Sequence, residues 1–415
     1  MSVSHRVRAL MDKGVTIHLP ESVFVGDEVD LDRISGKDVE IHPGCRIRGA
    51  GTLIMEGAKL GAEAPLTVED CEVGPGVELK GGYACRSTFL EGSSVGSGAH
   101  VREACILEER ASCAHGVGIK HTILFPFVTL GSLVNFCDCL MAGGTGPKDH
   151  SEVGSSYIHF NFTPNQDKAT PSLIGDVARG VMLKERPIFL GGQGGLVGPS
   201  VIPYGTVIAA GVVFRGSLAE ENTIITGVPT GQTRKRHVPG LVMSVREKVV
   251  NNIGYIANLI ALRAWYVHAR TLLVFGGAHA SALVAGAAGK LDAAIDERVA
   301  RLEAFVNKIP GSLTHLKGQT EAGSSPLVMR QQEELFRNWA AIADQIQALR
   351  THAGDDKARE GFLAELTAST GPSHTGYLGA ISGLPGGTRS RGTAWLEGIV
   401  RRVTRACMDK IPSFA

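Results

Sequence analysis

No excess of charge of either sign marks this chain: 42 Lys and Arg stand against 41 Asp and Glu, a formal net charge of +1 over 415 residues. No overall field therefore favours nucleic acid or an anionic membrane surface as a partner. Cysteine pairing is missing too. The 8 cysteines show no C-x-x-C spacing, with Cys137 and Cys139 closest together, which speaks for a reducing compartment, the cytoplasm. The N-terminus Met-Ser-Val-Ser-His-Arg-Val-Arg lacks the apolar core of a signal peptide. The most apolar stretch, 253–275, carries Arg263, His268 and Arg270, so no membrane span is expected. No α/β nucleotide domain is apparent either: the Gly-rich run Leu140–Lys148 lacks the strand at the start of an α/β domain that a phosphate loop follows.

What the chain has is glycine, 53 residues of it, and an apolar or small residue that returns every sixth position from about residue 39 to 213. In the clearest frame Val95, Val101, Leu107, Cys113, Ile119 and Phe125 follow one another, and the register resumes at Val197, Ile202 and Ile208. Six fits neither a helix (3.6) nor a lone strand (2), so the pattern reads as a solenoid of short strands with one inward residue per side, a triangular prism. The period fails between Gly143 and Ser172, where polar residues gather, which predicts a loop projecting from one corner.

The predicted organisation is an N-terminal cap over 1–38, the solenoid over 39–232 with an inserted loop at 143–172, and a helical C-terminal domain over 240–415. A linker, Thr233–Gly240, separates the last two. In the helical part Val249, Ile253, Ile256 and Ile260, then Leu291, Ile295, Val299, Leu302 and Val306, and then Leu335, Trp339, Ile342 and Ile346 step at helical spacing. Such helices pack on the solenoid, on one another, or on a second copy.

Pieces such as Val95-Gly-Ser-Gly-Ala99 and Val153-Gly-Ser-Ser-Tyr157 carry an aliphatic residue, then Gly, then a fifth-place residue. The pattern resembles the hexapeptide-repeat proteins, whose fold is a left-handed parallel β-helix. Between Val134 and Pro229 the chain further resembles the acetyltransferase half of the bifunctional N-acetylglucosamine-1-phosphate uridyltransferase/glucosamine-1-phosphate acetyltransferase family. The matching pieces are Val134-Asn135-Phe136, His150, Asn161-Phe162 leading through Lys168 to Leu173-Ile-Gly-Asp176, then Leu196–Pro199, Ile208–Gly211, Glu221-Asn222 and Val228-Pro229.

This resemblance implies a homotrimer with sites between adjacent prisms, acetyl-CoA as acyl donor, and a sugar phosphate or nucleotide sugar as acceptor. It implies His150 as the general base, with His159 in reserve, since an imidazole titrates near working pH. It also implies that Asn135, Asn161, Phe162 and Lys168 hold substrate or cofactor and that backbone at Ala210 receives the pantetheine arm. The chain departs from the family pattern where phosphate is gripped: Gly131 or Thr129, Leu140 and Gly227 stand where cationic residues are expected, and Lys184-Glu185-Arg186 lies in an insertion. Losing such charge-assisted contacts favours an alternative, a non-catalytic β-helix that binds a nucleotide sugar or scaffolds a partner. His115, His121 and His150 invite comparison with γ-class carbonic anhydrase, but its closely spaced second and third histidines are missing, so no metal site is expected.

Overall fold

The computed structural model describes residues 3–227, 238–274, 278–318, 325–369 and 376–414. Thr233–His237 of the linker and the Val228-Pro229 match lie outside the described residues.

A short helix, α1 (His5–Asp12), capped by the Ser4 hydroxyl, opens the chain. Among the described residues, very short strands then wind into a solenoid of three parallel sheets of 11, 10 and 8 strands. One inward residue per side stacks on its equivalent a turn away: Val95 beside Cys113 and Cys113 beside Leu130 on the first face, Val101 beside Ile119 and Ile119 beside Phe136 on the second. On the third face Leu107 pairs with Leu124, so Leu124 and not Phe125 continues the repeat there. From Ile119 to Leu124 is one residue fewer than from Val101 to Leu107 in the coil before.

The first strands, Thr16–Ile17 and Phe24–Val25, already pair with Glu40–Ile41 and Arg46–Ile47, so coils begin within the segment read as a cap. The interruption at 143–172 divides in two. An antiparallel hairpin pairs Gly144–Gly146 with Asp149–His150, and a loop follows Phe160; between them Glu152–Val153 and Ile158–Phe160 keep their places in the sheets.

The third face differs from the others in burial. On the first two faces exposed or partly exposed residues alternate with buried ones, as in Lys59–Leu60 or Arg46–Arg48. On the third face both residues of Ile106–Leu107 and of Ile123–Leu124 are buried, as are Cys139–Met141 throughout. One set fills the prism and the other lies beneath the chain's own helices, the burial expected of parallel strands covered on both sides. The covering helices are α3 (Val245–Ala264) and α4 (Ala278–Val306), with α2 (Val177–Gly180) beside α3. α5 (Ile309–Lys317), α6 (Pro326–Leu349), α7 (Asp356–Ser369), α8 (Tyr377–Ser382) and α9 (Gly386–Met408) complete the bundle. The stripe residues Val249, Ile253, Ile256, Ile260, Leu291, Ile295, Leu302, Leu335, Trp339, Ile342 and Ile346 are all buried. α4 comes so close to the solenoid that a Cβ on Gly286 would lie 2.4 Å from the Glu72 carboxyl carbon. Among the described residues no helix is long and apolar enough to cross a membrane.

Candidate functional site

Where the second face turns into the third, successive coils place Asp70, Arg86, Ala104, His121 and Asp138 in one column. All have positive φ, between 42° and 61°. Side chains rarely accept this conformation, which costs roughly 1–2 kcal/mol per residue. Its repetition in register leaves the five side chains splayed outward along one edge of the prism. α4 runs alongside, and between helix and edge lies a cleft of about 800 Å³. Asp70, Glu72, Arg86, Glu103 and His121 line one wall, and Lys290, Asp296 and Glu297 of α4, with the small residues Gly289 and Ala293, line the other.

His121 is 7% exposed and its Nδ1 lies 3.3 Å from Asp138 Oδ1. Arg298 of α4 donates to the same oxygen at 2.7 Å, and the Asn161 amide donates to Asp138 Oδ2 at 2.5 Å. Burial pushes the Asp138 carboxyl up, but the Arg298 charge and the hydrogen bonds from His121 and Asn161 outweigh it and hold the group well below the ordinary carboxylate range. An ionised Asp138 can only accept, so His121 donates Nδ1–H, with Glu297 Oε1 a further neighbour 3.9 Å away; a neutral ring then carries its lone pair on Nε2, in a side chain that lines the cleft. A histidine oriented by a carboxylate, with its other nitrogen free, is the arrangement of a general base.

No family model matches the chain. It is 28% identical over 219 residues to the bifunctional protein GlmU of Thermotoga petrophila, a match that covers 50% of this chain and 41% of that relative. It is 26% identical over 221 residues to the same protein of Trichlorobacter lovleyi, covering 53% and 43%. The chain thus spans less than half the length of these relatives. Its solenoid is a hexapeptide-repeat left-handed β-helix. Among solved structures, the UDP-N-acetylglucosamine O-acyltransferase LpxA of Moraxella catarrhalis aligns at 12% identity with a TM-score of 0.21, covering 48% of this chain and 65% of its own. The polysialic acid O-acetyltransferase OatWY aligns at 14% with a TM-score of 0.17, covering 54% and 90%.

Of the residues singled out in the β-helix from its sequence, Asn161 reaches the cleft through Asp138. The backbone carbonyl of Lys168 accepts from Arg298 at 3.3 Å, while its ammonium lies 6.0 Å from the exposed Phe162 ring. The loop carrying them is docked on the helices: Lys248 of α3 grips both Asp167 oxygens at 2.9 Å, and Asn252 donates to Ala169 O at 2.9 Å. Asn135 is exposed on the second face, in contact with the Cys137 thiol. Ala210 is exposed, with Gly191 packed close beneath its backbone.

His150 stands in another cleft, of about 390 Å³, with Glu152, Lys184, Glu185 and Arg186. Its Nδ1 faces Pro147 O at 3.0 Å and its Nε2 lies 4.0 Å from Glu152. None of Asn161, Phe162, Lys168 and Ala210 lines that cleft. Sequence reasoning set His121 aside as an incomplete metal ligand and passed over Asp138 and Arg298. Only the corner stacking, and a helix far along the chain, bring these groups together.

His159 occupies an inward position of the second face and is 2% exposed. Its Nδ1 lies 2.6 Å from Cys137 O and its Nε2 2.7 Å from the Ser172 hydroxyl, so neither nitrogen is free for an acceptor. Burial lowers its pKa from 6.5 to about 4. Between those values the unfolded chain binds a proton that the folded chain refuses, so this contribution is complete above pH 6.5 and is lost as pH falls through about 4. The full loss is about 3 kcal/mol at ~1.4 kcal/mol per pKa unit. His159→Gln is therefore expected to lose less stability than the native chain between pH 7 and 4.5 in urea titrations; identical pH slopes would remove His159 as a source of acid sensitivity.

Proposed function

We propose that the chain is an acyltransferase that moves an acyl group from a thioester donor, acetyl-CoA, to an amino or hydroxyl group of a sugar phosphate or nucleotide sugar. The observation that carries this reading is His121, with Nδ1 engaged by Asp138 and its ring on the wall of the corner cleft of about 800 Å³. The similarity to GlmU supports the reaction class. In the proposed step His121 Nε2 takes a proton from the acceptor as its nitrogen or oxygen attacks the thioester carbonyl carbon. The C–S bond then breaks and the leaving sulfur takes the proton back from the imidazolium, which Asp138 stabilises. Arg86 and Lys290 are the cations lining the cleft, each beside a carboxylate that a phosphate would have to displace. The exposed turn at Ala210 is the proposed resting place of the pantetheine arm, and Asn135, Phe162 and Lys168 remain candidate contacts to the donor or acceptor.

In this reading one wall of the site, α4, belongs to the same chain. A homotrimer, which the resemblance implies, would have to use the two faces that the helices leave open. The proposed setting is the cytoplasm.

A second reading, a non-catalytic β-helix that binds a nucleotide sugar or scaffolds a partner, draws on the same cleft: Lys290 is held by Glu72 at 3.1 Å and Arg86 lies 3.6 Å from Glu103, so both cations have carboxylate neighbours. Calorimetric titration with acetyl-CoA, with and without glucosamine 1-phosphate, separates the two. Saturable binding in the roughly micromolar range, weakened by Asn161→Ala, is expected of the transferase. No heat at millimolar ligand would leave the scaffold reading standing.

A further inference from the structure

On the outer side of the first face, at the N-terminal end of the solenoid, two histidines and a glutamate converge. Thr16 pairs with Glu40 and Ile17 with Ile41, and the His18 N–H continues the ladder by donating to Ile41 O at 2.9 Å. This register sets His18 beside His42, with Glu40 two residues before it on the same side of the strand. The imidazoles stack with centroids 4.6 Å apart and planes 28° from parallel, the separation that neighbouring strands impose. Both Nε2 atoms face one carboxylate oxygen, Glu40 Oε2, at 3.7 Å from His42 and 4.0 Å from His18. The three donor atoms all lie within 4.8 Å of one another.

We propose that His18, Glu40 and His42 form a binding site for a borderline divalent transition ion of the zinc class. Two imidazole nitrogens and one carboxylate oxygen are ligands zinc accepts, at about 2.0–2.2 Å, and a small closure of the side chains brings them to one centre. The second Glu40 oxygen is occupied by Lys59 at 3.3 Å, which orients the carboxylate and leaves Oε2 turned to the histidines. His18 is 48% and His42 24% exposed at the side chain, so an ion enters from solvent and keeps a position for water. Thr16–Ile17 is the terminal strand of its 11-stranded sheet and only 2 residues long. An ion held across it and the next strand would clasp the last coil, the part of a solenoid that frays first. The site is independent of the acyl-transfer reading.

The test is zinc titration of untagged protein at pH 7.5 by calorimetry, with thermal melts in zinc and in EDTA. One equivalent is expected to bind in the roughly micromolar range and to raise the melting temperature. His18→Ala and His42→Ala are each expected to weaken binding by about tenfold or more, and pH 5.5 to weaken it further because the ligands must be deprotonated. Lys59→Ala, which frees the other Glu40 oxygen, is expected to change affinity by no more than about tenfold, the lower end of what an outer-shell partner contributes. Failure of the native chain to bind at about 100 μM zinc overturns the proposal, as does unchanged affinity in a His18→Ala/His42→Ala double variant, which would put the ion elsewhere. These surface variants remove no core side chain, so loss of binding without loss of the unliganded melting temperature reads on the site itself.

Discussion

Replacing His121 with asparagine is expected to lower acyl transfer by about 10²–10⁴-fold, the usual contribution of a positioned general base. Asparagine is the informative choice because it tolerates the positive φ of this corner, 48°, better than most residues do. Donor affinity should stay within a few-fold, so the loss falls on turnover. Asp138→Asn should cost a comparable factor by a different route. An amide can donate to Nδ1 and so turn the imidazole to the tautomer whose lone pair points away from the cleft. Arg298→Ala acts one step further back, by freeing Asp138 from its cation, and its signature is an acid limb of the pH–rate profile moved upward as the carboxylate becomes easier to protonate. His150→Ala is the decisive comparison. Full turnover in that variant together with loss in His121→Asn puts the base at the corner cleft; the reverse puts it in the cleft with Lys184 and Arg186 and returns the assignment to the one the sequence suggested.

The repeat was legible in the sequence because each side of the prism admits one inward residue, and the aliphatic column from Val95 onward is that constraint written out. The helices were legible from their apolar stripes. The covering of the third face was present but unread: in the middle coils the residue before the inward one is polar on the first face, as in Ser94-Val95 or Thr129-Leu130, whereas on the third it is apolar in Ile106-Leu107, Ile123-Leu124 and Leu140-Met141, though polar in Glu72-Val73 and Thr88-Phe89. A doubled apolar position on one side in three is what a covered face requires. The site was less legible for a physical reason. Asn161 and Lys168 could be found from a loop motif, but His121, Asp138 and Arg298 meet through a corner one turn apart and a helix more than a hundred residues on, and no local spacing encodes that. The pair His18 and His42 was hidden in the same way, by a register that only the wound chain reveals.

Arg270→Ala is expected to destabilise the junction of helices and solenoid by about 3–5 kcal/mol, the cost of leaving buried carboxylates without their cation. Arg270 follows α3 and is 3% exposed. It forms paired hydrogen bonds to Glu109 at 2.6 and 2.9 Å, lies 3.3 Å from Glu108, and sits 3.6 Å over the Tyr377 ring. Glu108, 1% exposed, also accepts from the Tyr266 hydroxyl at 2.6 Å, and burial raises its pKa to about 7 despite the nearby guanidinium. Both glutamates belong to the solenoid, whereas Arg270, Tyr266 and Tyr377 belong to the helical bundle, so this buried charge is a rivet between the two. The 3 tryptophans, Trp265, Trp339 and Trp395, all lie in the helical part. Tryptophan fluorescence therefore follows the bundle, while far-ultraviolet dichroism also follows the coils. In urea the native chain is expected to show coincident transitions by both probes. In Arg270→Ala the fluorescence transition should move to lower urea and separate from the other. Replacing the whole group, with Arg270→Met, Glu108→Gln and Glu109→Leu together, should recover much of the loss, because a buried ion pair exchanged for well-packed apolar residues of similar volume is often neutral or better. Coincident, unshifted transitions in Arg270→Ala would mean that apolar packing on the third face holds the bundle without the rivet. The expected separation would instead make this charge the point at which α4, and with it one wall of the cleft, is fixed to the column of corner residues it faces.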